Sequence, residues 1–219
     1  MRRLYHYPLD AFSRQIRVCL MECNIEHELF IEFPWNIQSS NYLQFPCDFP
    51  TFVDVDGTAY HGWYAIVEHL NSSGQSVFGN TEKEKAECRR LVSLFNELFY
   101  ADVTRNIVYE KVIKRYSEHA SPDSSAIRRG NNLMKQYLDY IEWLTDRRNW
   151  LAGDDFSFAD IVTASHISCL DYVGNIEWEK FSIVKDWYVR IKSRPSFRGI
   201  LHDRVQNITP PEYYQNLDF

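Results

Sequence analysis

Residues 45–70 constrain the fold more than any other stretch of the sequence. Residues 49–55 are rich in β-forming side chains and carry Pro50 near their start. A proline has no N–H for a strand ladder, so it belongs at a strand entrance or edge, and a cis bond in a tight turn is a further possibility. Asp56-Gly57 predicts a two-residue hairpin turn, with residues 58–61 as the returning strand. Apolar residues then recur at helical spacing as far as Leu70, which predicts strand, turn, strand and helix.

The residues before this stretch predict a strand–helix–strand unit. Residues 3–7 form a short strand, residues 28–33 a second one, and residues 12–23 between them carry an apolar helical face. Asp10 is the predicted N-cap, since its carboxylate can accept the unpaired N–H groups of the first turn. The crossover between the two strands should be right-handed. Residues 1–72 are therefore predicted to form one α/β domain with the order βαβ–ββα.

After a polar linker at residues 71–75, residues 78–201 are predicted to form an all-helical domain. A long helix begins with a capping box at Thr81 and Glu84, and its apolar face includes Leu98. A second helix spans residues 125–147. Its predicted inward residues are Leu133, Tyr137, Tyr140, Ile141 and Leu144.

A third helix, which is apolar around most of its circumference, follows a second capping box. Ser157 and Asp160 have the S-x-x-D spacing in which each residue can satisfy the backbone N–H of the other. We interpret this pair as a structural device at the start of a buried helix. A last helix is predicted over residues 181–193.

Residues 202–219 are predicted to form an extended C-terminal tail. Pro210-Pro211 disfavours helix, and the tail ends in aromatic and apolar side chains. Such a tail either folds back on its own domain or docks on a partner. Its composition favours folding back, because exposed aromatic surface is unfavourable in water.

Composition excludes several classes of function. The formal net charge is −6 and no basic stripe is present, so nucleic acid is not an expected partner. No apolar run approaches the roughly 20 residues needed to span a bilayer, and no signal peptide is recognisable, so we expect a cytoplasmic protein with no membrane association. The five cysteines lack Cys-x-x-Cys spacing, which predicts reduced thiols, no disulfide framework and no metal site.

Three motifs in this order resemble the glutathione S-transferase family. They are Phe49-Pro50 at the entrance of the third strand, Gly153-Asp154-x-x-Ser157-x-Ala159-Asp160 before the buried helix, and the ending Arg194-Pro195-Ser196-Phe197. The resemblance covers residues 3–200. It implies a thioredoxin-like domain followed by an all-helical domain, a cis peptide bond at Pro50, and a homodimer. It also implies that the Phe49 backbone would pair with the cysteinyl part of glutathione.

The glutathione site that this resemblance implies is altered in three places. Members of the family carry Glu-Ser where this chain has Gly62 and Trp63, and the run before Pro50 is one residue shorter. The thiol-activating hydroxyl expected near the first helix is absent from the loop, where Asp10 stands. A carboxylate there would disfavour a thiolate. Tyr7 and Ser13 remain as weak catalytic candidates, and glutathione is a doubtful ligand.

The residues 5–17, Trp35 and the Tyr-x-x-Leu-Asp-Phe ending look like a bacterial group of these homologues, the FtsZ-localised protein A group. That resemblance implies binding to the tubulin-like division protein FtsZ through Trp35, Leu217, Asp218 and Phe219. Tryptophan is a frequent interface hot spot, although Trp35 could instead be a dimer-contact or core residue.

The first hypothesis for function is therefore a non-catalytic cell-division factor that binds FtsZ and shapes its filaments. The alternative is an active glutathione S-transferase or isomerase that acts on small electrophiles through Tyr7 or Ser13. A weaker alternative is a thiol-dependent reductase that acts through Cys47.

Overall fold

A computed structural model describes residues 1–33, 35, 49–74 and 77–217. The chain divides into two compact units, Met1–Val77 and Phe78–Phe219. The second unit includes the segment after residue 201, which the sequence had assigned to a separate tail.

The first unit is a four-stranded mixed sheet with two described helices. Its elements are β1 (Arg3–His6), α1 (Ala11–Glu22), β2 (Glu28–Ile31), β3 (Thr51–Val53), β4 (Ala59–His61) and α2 (Gly62–Ser72). The strand order is β2-β1-β3-β4, with β2 parallel to β1 and the other two pairs antiparallel. The predicted βαβ–ββα order is confirmed. The helices pack on each other, and Leu4, Ile16, Phe52 and Ile66 are fully buried.

The hairpin between β3 and β4 differs from the two-residue turn that the sequence predicted. The Asp54 N–H donates to the Thr58 carbonyl at 2.9 Å, and the Gly57 N–H donates to the Asp54 carbonyl at 3.0 Å. Only Gly57 in this loop has a positive φ, of 87°. A tight Asp-Gly turn would need positive φ at both residues. The loop instead has three residues, and Gly57 alone supplies the left-handed conformation.

The second unit is helical. Its helices are α3 (Glu82–Ser93), a π-helix (Leu94–Ile113), α4 (Lys114–Ser117), α5 (Ser124–Thr145), α6 (Phe158–Tyr172), α7 (Ser182–Lys192) and α8 (Pro195–Leu201), with 3-10 turns at Trp178–Lys180 and Glu212–Gln215. The capping box at Thr81 and Glu84 is present at the start of α3. None of the described helices is long and apolar enough to span a bilayer.

The π-helix changes which side chains face inward. Hydrogen bonds in such a helix run five residues back, as from the Lys114 N–H to the Tyr109 carbonyl, so each turn is wider than in an α-helix. The buried residues therefore recur once per turn, singly or as adjacent pairs, at Phe95-Asn96, Phe99, Val103-Thr104, Ile107-Val108 and Val112. Leu98, which α-helical spacing placed inward, is 56% exposed.

Of the inward residues predicted for α5, Ile141 and Leu144 are buried as expected, whereas nearer the start of the helix the buried stripe lies one position further along the chain. Its buried residues are Ala126, Gly130, Met134, Leu138, Ile141 and Leu144. The predicted inward residues Leu133, Tyr137 and Tyr140 are only half-buried. Gly130 explains the shift, because a Cβ there would lie 2.8 Å from Ile107 Cγ1. The glycine lets α5 approach the π-helix closely, and the residues one and two turns later face the same contact.

Helix α6 is buried over its whole length and carries several polar side chains into the core. Each of its main polar groups has a partner. The Asp160 carboxylate accepts from the Ser157 N–H at 3.1 Å and from the Ser157 hydroxyl at 3.2 Å. His166 lies between Thr104 and Asn96 at 2.9 and 3.0 Å. Hydrogen bonding offsets the desolvation of these groups.

Candidate functional site

The N-terminus of α1 is closed by Asp10 and Ser13. The Ser13 N–H donates to Asp10 Oδ2 at 2.7 Å, so Asp10 is the N-cap, as predicted. Burial raises the pKa of the Asp10 carboxyl, against hydrogen bonds from Ser13 and Phe12 that lower it. The Ser13 hydroxyl accepts from the Tyr7 N–H at 3.2 Å, and the side chain is fully buried. Both side chains are thus engaged with the backbone at the helix start.

Tyr7 is a buried member of an aromatic cluster that also contains Phe33 and Trp35. The Trp35 ring centroid lies 5.5 Å from that of Tyr7 in an edge-on arrangement, and 5.2 Å from that of Phe33. Tyr7 and Phe33 are 6.1 Å apart. Trp35 is half-buried. These separations lie in the range of favourable aromatic pairs, so the cluster holds the Trp35 ring in place with one part of it accessible.

The entrance to β3 presents backbone groups. The Phe49–Pro50 peptide bond is cis, as predicted. The Pro50 carbonyl accepts from the Gly62 N–H at 2.9 Å. Within the described ranges, the Phe49 N–H and carbonyl make no hydrogen bond. Phe49 is nevertheless a buried residue, with 9% of its surface exposed.

At the junction of β4 and α2, neither Gly62 nor Trp63 carries a carboxylate or a hydroxyl. Gly62 begins α2 with a φ of 75°, and no side chain caps the helix. Trp63 is half-buried and packs edge-on against Tyr64, at 5.5 Å between ring centroids. The preceding His61 uses its Nδ1 in a contact with Thr51 Oγ1 at 3.1 Å. An aromatic face and one bare helix terminus stand where a polar pair would be needed for an amino acid headgroup.

The C-terminal segment folds back on the helical unit. Tyr214 is fully buried and packs edge-on against Tyr172, with ring centroids 5.1 Å apart. The Tyr172 hydroxyl also accepts from the Val205 N–H at 2.9 Å, and Gln215 Nε2 donates to the Leu201 carbonyl at 3.0 Å. Folding back, which composition favoured, is therefore observed as far as Leu217, which is half-buried. Asp218 and Phe219 lie outside the described residues.

Comparisons with known proteins agree with this architecture. The model of the glutathione S-transferase C-terminal domain matches residues 106–195. A glutathione S-transferase of Rhodospirillum rubrum F11 is 41% identical, with all of both chains covered and a TM-score of 0.94. The chain belongs to the glutathione S-transferase family. It is also 36% identical to FtsZ-localized protein A of Caulobacter vibrioides, over 100% of this chain and 98% of that protein.

The structure of that second relative supports the same assignment. FzlA from C. crescentus is 35% identical, covers 100% of this chain and 99% of its own, and has a TM-score of 0.92. The chain therefore shares both sequence and fold with FtsZ-localized protein A.

In this family context the structure brings together some predicted residues and separates others. Tyr7, Ser13 and Trp35 lie in one region of the first unit, joined through the Tyr7 backbone and ring. Gly62 meets Pro50 through a backbone hydrogen bond. Leu217 belongs to the second unit.

His6 is a residue at this region whose burial the sequence did not reveal. Only 2% of its surface is exposed. Burial lowers the pKa of His6 to about 3, with further lowering by Arg17, His27 and Arg14. A neutral, enclosed imidazole gives no cationic partner to a thiolate. A histidine is a polar residue, so the sequence alone did not predict that His6 is buried.

The described cysteines form no metal or disulfide site. Cys19, Cys23, Cys88 and Cys169 are free thiols, and no cluster of three metal-binding side chains occurs among the described residues. Cys19 and Cys23 contact each other through a side-chain hydrogen bond on α1, which lowers the pKa of Cys23. Cys47, the candidate for a reductase, lies outside the described residues.

Proposed function

We propose that this chain is a non-catalytic cell-division protein that binds FtsZ and shapes its filaments. The observation that carries this proposal is the 36% identity with FtsZ-localized protein A over the full length of the chain. The altered glutathione site supports the absence of catalysis, because Gly62 and Trp63 replace the polar pair and Asp10 stands at the helix start. The protein would act in the cytoplasm as a homodimer, without a cofactor.

The proposed contacts with FtsZ are Trp35 in the first unit and the last residues of the chain in the second unit. Trp35 is held by Tyr7 and Phe33, so little side-chain entropy would be lost when a partner covers its accessible part. Burial of Tyr214 similarly fixes the point from which Leu217, Asp218 and Phe219 continue. The Trp35 ring and the anchoring residue Tyr214 are therefore held in place before binding, which favours affinity.

We expect Trp35→Ala to reduce co-sedimentation with polymerised FtsZ by at least about tenfold in apparent affinity, because truncating a central tryptophan typically costs 2 kcal/mol or more. The matched control is Trp143→Ala, which removes a 48% exposed tryptophan from α5. The control should bind FtsZ as the wild type does. Melting curves of both variants verify that the fold is retained.

The same assay with a chain that ends at Asn216 tests the second element. Removing residues 217–219 leaves Tyr214 and Gln215 in place, so the docked segment keeps its anchors. The proposal requires weaker FtsZ binding from this chain as well. Wild-type binding by both Trp35→Ala and the shortened chain would overturn it.

The transferase alternative rests on the backbone groups of Phe49. These groups could still pair with a peptide ligand, and the relative from Rhodospirillum rubrum is described as a glutathione S-transferase. The Phe49 backbone would orient the cysteinyl part of glutathione. The replaced pair, Gly62 and Trp63, supplies no cationic or hydrogen-bonding side chain that matches the γ-glutamyl end.

We expect calorimetric titration of glutathione, at millimolar concentration, to give no saturable heat and no thermal shift. A ligand anchored only through one backbone pair gains too little to offset its loss of translational freedom. Saturable binding would instead favour the transferase alternative. Turnover assays with Tyr7→Phe and Ser13→Ala would then identify the activating hydroxyl.

A further inference from the structure

The edge strand β2 is unusually apolar for an exposed sheet edge. The strand order places β2 at one end of the sheet. Its residues Leu29, Phe30 and Ile31 are 45%, 39% and 56% exposed. Natural proteins normally blunt such edges, because unpaired strands with apolar side chains attract other strands.

The backbone of β2 presents two residues to the open side. The Glu28 N–H donates to the Arg2 carbonyl at 3.0 Å, and the Glu32 N–H donates to the His6 carbonyl at 2.9 Å. Because successive residues of a strand alternate, the backbone groups of Leu29 and Ile31 point away from β1. They make no hydrogen bond to any part of the chain that the structure describes. The edge thus offers two donors and two acceptors.

The charges on this strand argue against pairing with a second copy. The segment Glu28-Leu29-Phe30-Ile31-Glu32 has a symmetric pattern, which is acidic, apolar, aromatic, apolar and acidic in either direction. Antiparallel pairing of two copies about Phe30 would match the apolar residues and place Glu28 opposite Glu32 twice. Like charges directly opposite each other destabilise a strand pair. The glutamates therefore act against self-association and select for a basic partner.

We propose that the β2 edge binds an extended peptide of the pattern basic–apolar–aromatic–apolar–basic by antiparallel strand addition. The apolar positions of the peptide would form the hydrogen-bonded pairs with Leu29 and Ile31, and its aromatic residue would lie opposite Phe30. Its two Lys or Arg residues would lie opposite Glu28 and Glu32. Strand addition derives affinity from the main chain and specificity from alternate side chains. This interaction goes beyond FtsZ binding and does not depend on it.

The test is fluorescence anisotropy with a labelled peptide that contains Lys-Val-Tyr-Val-Lys, compared with the same peptide carrying Glu in place of both lysines. We expect saturable binding of the basic peptide to the full chain, at least tenfold weaker binding of the acidic one, and a decrease with added salt. Equal binding of the two peptides, or no saturable binding of the basic peptide at about 1 mM, a concentration that corresponds to about −4 kcal/mol, would overturn the proposal.

Ile31→Pro and Ile31→Val form a matched pair of variants. Proline removes the outward N–H of residue 31 and leaves the N–H groups that bond β1, since those belong to the neighbouring residues. We expect about tenfold weaker peptide binding for the proline variant and unchanged binding for the valine variant. Unchanged binding for both would overturn the proposed geometry.

The double variant Glu28→Gln/Glu32→Gln provides an independent measurement if the proline variant does not fold. It keeps the backbone and removes the two charges that should select the basic peptide. We expect the preference for the basic over the acidic peptide to fall at least about threefold at low salt, in line with exposed ion pairs. An unchanged preference would refute the role of the glutamates.

Discussion

Asp160→Ala is expected to lower the free energy of unfolding by about 3–5 kcal/mol, because it strands four buried donors. The carboxylate accepts from the Leu151 N–H at 3.0 Å, from Trp187 Nε1 at 3.0 Å, and from both the N–H and the hydroxyl of Ser157. Each buried donor left without an acceptor costs about 1–3 kcal/mol, and relaxation recovers part of the sum. Urea unfolding monitored by tryptophan fluorescence measures the loss.

Two further variants sharpen this result. Asp155→Ala changes an exposed aspartate in the same loop and should alter the unfolding free energy by no more than about 0.5 kcal/mol. Asp160→Asn keeps one acceptor oxygen and should lie between that control and Asp160→Ala. A loss below about 1 kcal/mol for Asp160→Ala would show that the four hydrogen bonds contribute little to stability.

Acidification is expected to destabilise the wild type more than His166→Gln. Burial lowers the pKa of His166 to about 3, whereas an unfolded histidine has a pKa near 6.5. The unfolded state therefore binds the proton first. The stabilising contribution is complete above about pH 6.5 and is lost as the pH falls towards 3. Between pH 7 and pH 4.5 the extra loss should be about 2–3 kcal/mol, at about 1.4 kcal/mol per pKa unit.

The physical reason lies in the two neighbours of the imidazole. Asn96 Oδ1 can accept a hydrogen bond from Nε2–H, and the Thr104 hydroxyl can donate one to Nδ1, so the neutral ring satisfies both contacts. A second proton would be added at Nδ1, where it would face the hydroxyl of Thr104. That hydroxyl could then no longer donate to Nδ1, and none of the carboxylates that the structure describes is placed there to stabilise the charge.

Unfolding free energies of both chains at pH 7, 5.5 and 4.5 provide the measurement. His6 also has a lowered pKa, but it is present in both chains and cancels in the difference. His202→Gln, in which the histidine is exposed, should follow the wild-type curve. Parallel curves for the wild type and His166→Gln would contradict the expected linkage.

Local patterns were sufficient to predict most of the fold. Alternation and helical spacing predicted the βαβ–ββα order, and the capping residues Asp10 and Thr81 correctly marked two helix starts. These signals are local, because a cap depends on hydrogen bonds within one turn and a strand on its own side-chain alternation. The family motifs around Pro50 and Asp160 added the domain order, and comparison with relatives confirmed it.

Periodicity predicted some wrong inward residues on two helices, the π-helix and α5. Leu98 was assigned inward by a spacing of 3.6 residues, but the π-helix has wider turns. On α5 the close approach at Gly130 selected Met134 and Leu138 instead of Leu133 and Tyr137. The first error therefore comes from the backbone geometry of one helix, and the second from the packing of one helix on another.

For the candidate site too, some properties follow from the sequence and others only from the tertiary structure. The sequence by itself determined which chemical groups are absent, because Gly62 and Trp63 cannot supply a carboxylate and a hydroxyl in any fold. It also determined that Trp35 is aromatic, that the C-terminal segment is aromatic and acidic, and that residues 29–31 of β2 are apolar with a glutamate at either side.

Only the tertiary structure decided which of the remaining groups are accessible. Ser13 is enclosed by its contact with the Tyr7 backbone, Tyr7 lies under Phe33 and Trp35, and Tyr214 is buried against Tyr172. Meanwhile β2 is left at the open edge of the sheet. Residue type sets what a side chain can do, whereas exposure depends on contacts between segments distant in sequence, which no local pattern encodes.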